Sequence, residues 1–560
     1  MKVYTAIKDF IGFGAENRKT KFTNVLQWFT GKGEKNHGKI RETVQKKVVA
    51  RSGRTIIIPT QNITWSPSFL GIPLCMAVNV WEDQLIPHLL KYRIDSTTAI
   101  RPQMVKDLMV AIAAQSKEKF EKLYLDHFMS SYGLSVYDAY NQFYLWIKAF
   151  IEGTNVSEIC GANGETITPQ VVIAGRQPSL HKYSIRAFYP KIVKTKTMQI
   201  HPLVCNGYNA DFDGDQMWFC ALLSEEAKAE AIDKLSVMKD IINAKNGDVI
   251  LKHSQDIALG IYCATMLKDN ALCIADYDVP NYDINYYSSI LELRADVLER
   301  IIHTYELVCL DYEGNKYVST AGRILFNSLL PGGLSPDNKF TNPLQIPGLM
   351  EDHYSGLLYD GLITSGSPNA HIDSFKLSSI CKKIYEESLS TDTYALIDVY
   401  QDITEMGFRI CDLFGVSISL DDLKEITDRS TKSEKLKDAD EEKAAYERDY
   451  QFGLLSLDDK VTAVHKVYKH TLDSIQDNIF GNDAKNILSS MNRNNNVFIM
   501  YDSGARGSKL QIMQTVGAVG SLQKTKTEDL PNPITSNYSE GLSSFDFQMM
   551  AYSTRTGMAS

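Results

Sequence analysis

Residues 209–217 read NADFDGDQM, placing carboxylates at Asp211, Asp213 and Asp215 around a single glycine, Gly214. On a strand, alternate side chains share one face; in a tight loop they converge as well. Ionised acids held that close need a cation, and hard carboxylate oxygens suit Mg²⁺, Mn²⁺ or Ca²⁺ better than zinc. Gly214 frees the backbone to bring its neighbouring acids around one ion. Taken alone, a D-x-D-G-D string also fits a solvated turn, because Asp and Gly are turn residues. An EF-hand loop requires Gly at its sixth position and Glu at its twelfth; here Gln216 and Leu222 stand there. A glycosidase pair needs two carboxylates in opposed roles, at least about 5 Å apart, which three packed acids do not suggest. The pattern fits best a metal site for phosphoryl or nucleotidyl transfer, where the ion neutralises phosphate and activates the attacking oxygen.

A second chemical feature lies near the N-terminus. Between Arg18 and Arg54 there are eleven Lys or Arg, among them Lys47 and Arg51, against two acids, Glu34 and Glu42. Such a patch can bind polyanions even though the 560-residue chain carries a net charge of −9; from charge alone it is equally a solvated basic face. The nine cysteines are scattered with no C-x-x-C pair, which argues against a structural zinc site and a disulfide framework and fits a reduced compartment. The sequence has no apolar run near the roughly 20 residues of a membrane span and no signal-peptide core in MKVYTAIKDF. A cytosolic setting is the expectation.

The stretch VVARSGRTIIIP (48–59) is β-branched and proline-terminated and is expected to be a strand. Residues 75–155 show helical spacing in MVKDLMVAIAAQ and VYDAYNQFYLWIKAFI. QVVIAG (170–175) and MQIHPLVC (198–205) are strand-like and bracket the approach to the acidic motif. SEEAKAEAIDKLSVM (224–238) is predicted to be a helix with a serine cap and early acids. Helical stretches are expected from 372 to 427, an exposed helix or connector over the highly charged 428–450, and the first turns of a helix in FDFQMMAYSTRTGMAS (545–560).

As a unit, NADFDGDQM resembles the signature of the beta-prime-type largest subunit of multisubunit DNA-directed RNA polymerases. The resemblance continues in order through KKVVARSGRTI (46–56), GRQPSLHKYSIRAFYP (175–190), IHPLVCNGYNADFDGDQM (200–217), SQDIALGIY (254–262), GRILFNSLLP (322–331), MGFRICDLFGVSISLDDL (406–423), SGARGS (503–508) and PITSNYSEGL (533–542). It implies an α+β fold: a double-psi β-barrel catalytic core with inserted and following helical regions, ending in the first half of the family's bridge helix. The implied layout is a basic, template-contacting segment over 1–47 and a barrel over 48–225 with a helical insertion at about 75–155. An active-site and pore region over 226–371 follows, then a helical, funnel-like region over 372–500, and a support loop with the start of the bridge helix over 501–560.

The same resemblance implies that Asp211, Asp213 and Asp215 hold the catalytic Mg²⁺, with a second Mg²⁺ arriving with the NTP and no zinc in this chain. Asn209 and Arg176 would read the ribose hydroxyls; the bland alternative for Arg176 is a structural ion pair. Gln255 would line the active-site floor or hold its loop, and Gln216 and Met217 would buttress the acidic loop. Lys47, Arg51 and Arg54 would contact template phosphates, which position without reading sequence, and Arg555 would touch nucleic acid from the bridge helix. His181 is expected to be structural. Implied partners are DNA template, RNA transcript and NTPs, a separate C-terminal beta-prime fragment, beta-like subunits and a promoter-specificity subunit, with no membrane. Some positions depart from the pattern. Gly175 stands where an Asn precedes the arginine, and Val48 and Ala50 replace an Arg and an Asp. With so little clamp before the basic block and an end at Ser560, the layout looks like the split polymerases of giant bacteriophages, acting in the host cytoplasm. Two-barrel RNA-templated polymerases share D-x-D-G-D but not the surrounding blocks, and a non-catalytic scaffold would not need all three acids.

Overall fold

A computed structural model of the chain describes residues 31–32, 36–37, 49–92, 102–127, 135–155, 166–239, 241–266, 285–331, 333–334, 344–345, 353–355, 371–388, 393–426, 429–480, 495–525, 528–529 and 533–559. The chain divides into two compact units, Met1–Asp240 and Ile241–Ser560.

The first unit is built on a closed six-stranded barrel, as expected. Its strands are β1 (Ser52–Pro59), β2 (Phe69–Pro73), β3 (Val172–Gly175), β4 (Ile185–Val193), β5 (Met198–Ile200) and β6 (Gln216–Ala221). Around the barrel the order is β6-β1-β5-β2-β4-β3. Strand β6 therefore pairs antiparallel with both β1 and β3, which joins the two ends of the barrel sequence. Alternation along β6 drives this: Met217, Phe219 and Ala221 are buried, while Gln216, Trp218 and Cys220 lie on the other face. Ile57, Leu70, Ile72, Val172, Ala174, Phe188, Met198 and Ile200 are also buried on the barrel strands. MQIHPLVC is a strand only over 198–200; a 3₁₀ turn and a short helix, Cys205–Tyr208, follow. Pro202 opens the 3₁₀ turn, and the His201 ring nitrogen accepts the Leu203 N–H, so the IHPLVC block caps a turn.

Between β2 and β3 the chain inserts helices Leu74–Val80, Glu82–Tyr92, Pro102–Ala113, Lys117–His127 and Val136–Glu152. They bury Trp81, Leu85, Leu108, Phe120, Phe143 and Ile147. Helix Val136–Glu152 starts at Ser135, whose hydroxyl accepts the Asp138 N–H, and stops at Gly153 (φ 73°). Its terminal Glu152 accepts the Ile192 N–H at 2.8 Å and pairs with Lys191 at 3.2 Å, fastening the insertion to β4. Helix Glu225–Leu235 has the expected Ser224 cap, and its Ala231 packs with Val171 and Ala187.

At the centre of the second unit helix Asp256–Thr265 crosses Thr393–Phe414 at very short range. A β-carbon on Gly260 would lie 1.8 Å from the Gly407 carbonyl oxygen, and all residues from Ile257 to Thr265 are buried. The unit also carries a five-stranded sheet and helices Ser374–Ser388, Leu420–Ile426 and Asn496–Asp502. The charged stretch expected at 428–450 is a helix, Arg429–Gln451, and it is not fully exposed. It pairs with helix Leu457–Phe480 over Ala439, Val464, Val467 and Tyr468, and its Lys432 pairs with Glu540. Asp502 accepts from the Tyr262 hydroxyl at 2.8 Å and pairs with His371 at 2.9 Å, fixing the start of the SGARGS turn. The last helix, Ser544–Ala559, is capped by Ser543 and Asp546 and exposes Phe545, Phe547 and Tyr552.

Candidate metal centre

The acidic motif is a loop, not a strand. The four-residue helix Cys205–Tyr208 is ended by Asn209 in the left-handed region (φ 47°, ψ 45°), a conformation Asn tolerates better than most side chains. The loop then runs to Gln216, where β6 begins. It is pinned at its far end, since the Asp215 carbonyl accepts the Ile57 N–H of β1 at 3.0 Å. It also closes on itself, because the Asp211 N–H donates to the Asp215 carboxylate at 3.2 Å. Gly214 has φ 122°, which strains any side chain although a β-carbon there would meet nothing within 4 Å.

This backbone brings one carboxylate oxygen each from Asp211, Asp213 and Asp215 within 4.8 Å of one another, in the open. Their protonation is uneven. The Asp211 carboxyl is held above its ordinary range, first by its hydrogen bond with Asp213, then by burial and by the charges of Asp213 and Asp215. Asp215 is held below it, first by the hydrogen bond from Arg176. Three hard oxygen donors whose mutual repulsion raises one of them fit a divalent hard cation, which would relieve that repulsion. The nearby Cys205 thiol is pushed up to about 12 by burial and by Asp211, so it stays protonated and is a poor ligand at neutral pH.

Arg176 stands beside this loop. Its Nε pairs with the Asp215 carboxylate at 2.7 Å, and an Nη donates to the Tyr208 carbonyl at 3.5 Å. Tyr208 is buried, and its hydroxyl donates to the Ala174 carbonyl of β3. The ion pair that sequence left as the bland alternative for Arg176 is therefore formed, and it is formed with the acidic loop itself. The structure gathers Asp211, Asp213, Asp215 and Arg176; Asn209 ends the short helix two residues before Asp211. Met217 is buried beneath the loop and Gln216 is exposed. His181 is exposed on the loop after Arg176, its ring 5.5 Å from that of Tyr183.

Of the basic residues, Arg54 is exposed on β1 directly opposite Trp218. Arg51, at φ 61°, pairs with Asp83 at 3.2 Å, a surface pair of small net worth. Lys47 lies outside the described residues. Gln255 and Arg555 belong to the second unit. Gln255 is exposed at φ 53° just before helix Asp256–Thr265. Arg555 is exposed on helix Ser544–Ala559, its Nε donating to the Ala551 carbonyl. Sequence reasoning passed over Trp218; its signal was an aromatic on the strand that directly follows the acidic motif.

Comparison with known proteins matches residues 46–237 to RNA polymerase Rpb1, domain 2, residues 240–423 to domain 3, and residues 457–553 to domain 4. Among relatives, the DNA-directed RNA polymerase subunit beta′ of Clostridioides difficile (strain 630) is 31% identical over 403 residues, 70% of this chain and 31% of that protein. That of Borreliella burgdorferi (strain ZS7) is 32% identical over 389 residues, 69% of this chain and 24% of that protein. The Listeria welshimeri subunit is 29% identical over 416 residues, covering 72% and 33%. The chain thus spans about a quarter to a third of the length of these relatives.

Proposed function

The chain belongs to the RNA polymerase Rpb1/beta′ family, and from that premise we propose that it carries the catalytic centre of a multisubunit DNA-directed RNA polymerase, adding ribonucleotides to an RNA 3′ end. The observation that carries this reading is the convergence of Asp211, Asp213 and Asp215 within 4.8 Å in an exposed loop, inside the segment similar to Rpb1 domain 2. A Mg²⁺ held by the three carboxylates would supply charge neutralisation at the phosphate and activation of the RNA 3′-hydroxyl, with a second ion carried by the NTP.

The chain's own residues do the placing. The Asp215 carbonyl, tied to Ile57, holds the acidic loop against the barrel, and Arg176 keeps Asp215 ionised. Asp215 would also be a ligand of the Mg²⁺, and Arg176, whose Nε now pairs with Asp215, would then have guanidinium donors available for a sugar hydroxyl. Arg176 and Asn209 are accordingly the proposed readers of the ribose, a discrimination available wherever a fixed donor is left unpaired by a substrate lacking its partner. Arg54 and Lys47 are the proposed template-phosphate contacts, and Gln255 and Arg555 further nucleotide and nucleic-acid contacts. Template DNA, transcript, NTPs and further polymerase subunits are the proposed partners. The test is Asp213→Ala in the complex assembled with its partner chains. Primer extension in Mg²⁺ should fall by more than about 100-fold, the scale of losing a group that stabilises transition-state charge, while assembly and DNA binding hold. Extension at the parent rate would refute the metal site.

A further inference from the structure

Strand β6 carries two adjacent aromatics, and each lies on a glycine of a different neighbouring strand. Phe219 is opposite Gly53 of β1, and Trp218 is opposite Gly175 of β3. A β-carbon on Gly53 would sit 2.7 Å from the Phe219 ring, and one on Gly175 would sit 2.5 Å from Trp218 Cζ2 and 2.7 Å from Cε2. Both glycines are followed directly by an arginine, Arg54 and Arg176. Glycine inside a strand weakens it, and a cross-strand aromatic laid over the bare backbone restores the lost cover. The two rings differ in place: Phe219 is fully buried in the barrel, whereas Trp218 is partly buried on the other face of β6.

The rung Trp218–Gly175 is the last of the β3–β6 pairing. Beyond it the two strands separate, β3 into the loop that begins with Arg176, and β6, through Met217 and Gln216 still paired with β1, back to the acidic loop that ends with Asp215. The Arg176–Asp215 pair at 2.7 Å spans the gap between these departing strands. The orientation of both partners therefore depends on how firmly that last rung is closed. Gly175 is buried although it has no side chain, because the indole covers it. This also accounts for the absence of an Asn at 175, since any side chain there would occupy the space of the ring.

We infer that Trp218 is a positioning residue for nucleotide selection: by packing its indole against Gly175 it fixes the strand end from which Arg176 reaches Asp215 and the incoming sugar. The inference rests on the reading of Arg176 as a ribose contact. Loss of the indole loosens Arg176 without removing it. The preference for NTP over dNTP should then drop by about 3- to 30-fold, short of the roughly 100-fold that a full 1 Å misplacement costs.

The experiment measures the NTP/dNTP ratio of kcat/KM in the assembled complex. It also measures binding of an NTP and of its 2′-deoxy counterpart to a complex halted on its template. Trp218→Ala and Gly175→Ala should each lower both preferences. Their double variant should be no worse than either alone, because both break one contact. Trp218→Phe, which keeps a flat ring, and Cys220→Ala, on the same face but away from the rung, should keep the parent ratio. Trp218→Leu substitutes if Trp218→Ala does not assemble. A merely structural Trp218 would lower thermal stability and leave both preferences unchanged. If Arg176→Ala lowers the ratio while Trp218→Ala and Trp218→Leu stay at the parent value, the inference is overturned and the ribose reading stands. If Arg176→Ala itself stays at the parent value, the ribose reading fails and this inference fails with it.

Discussion

Replacing Gly260 by Ala tests the closest helix crossing of the second unit. The new β-carbon would stand 1.8 Å from the Gly407 carbonyl oxygen, whereas such carbons essentially never approach another atom within 3.0 Å. Helices Asp256–Thr265 and Thr393–Phe414 must therefore part by about 1 Å, a gap that forfeits a quarter to a half of the dispersion well for each contact it opens. The obstructing atom is backbone, so no rotamer change relieves it. Overpacking of this kind costs about 1–3 kcal/mol, and the backbone clash argues for the upper end. At about 1.5 °C per kcal/mol for a unit running from Ile241 to Ser560, from an unfolding entropy of about 2.1 cal/mol/K per residue, the midpoint of thermal unfolding should fall by roughly 3–5 °C. Scanning calorimetry of the full chain reads this directly. Gly407→Ala meets the Ile257 carbonyl at 2.7 Å across the same crossing, so the double variant should lose less than the sum of the two. A Gly260→Ala midpoint within about 1 °C of the parent, less than a 1 kcal/mol effect would give, would refute the crossing geometry. So would strict additivity with Gly407→Ala.

Lys47→Ala with Arg54→Ala should weaken template binding with little sequence dependence and flatten the salt dependence by roughly one unit of slope per lost phosphate contact; parallel salt slopes would return both residues to a solvated basic face. Arg51→Ala, whose partner is Asp83 at 3.2 Å, should change the slope less than Arg54→Ala. In the second unit, burial raises the Asp502 carboxyl, but His371, Tyr262 and Lys376 outweigh it and hold it below its ordinary value. A carboxylate with a lowered folded-state pKa adds stability above its unfolded value, near 3.9, and loses it as pH falls through the folded value. Asp502→Asn should therefore lower stability at neutral pH by about 2 kcal/mol, the worth of hydrogen bonds to a charged group. It should also make the loss below about pH 4 shallower, and a denaturant series at pH 3 to 7 that leaves both curves parallel would contradict the assignment.

Features set between near neighbours in the chain were legible before any fold was known. The three acids and Gly214 sit within five residues, so their convergence was readable whether the backbone was strand or loop. The Ser224 cap and the helix after it, and the apolar spacing of 136–151, were equally legible, because a cap and an apolar stripe depend on residues three or four positions away. The resemblance of ordered blocks supplied the barrel, which periodicity alone did not. The tertiary structure decided what depends on residues distant in the chain. That the acidic loop is pinned to the barrel follows from the Asp215 carbonyl bonding Ile57 of β1. That Arg176 meets Asp215, that Trp218 covers Gly175, and that Gly260 meets Gly407 all follow from strand register and helix crossing. The charged helix Arg429–Gln451 buries Lys432 against Glu540, which no run of charges announces. The physical reason is common to these cases: propensity and capping act between near neighbours, whereas the face a strand or helix covers is chosen by the segment that folds against it.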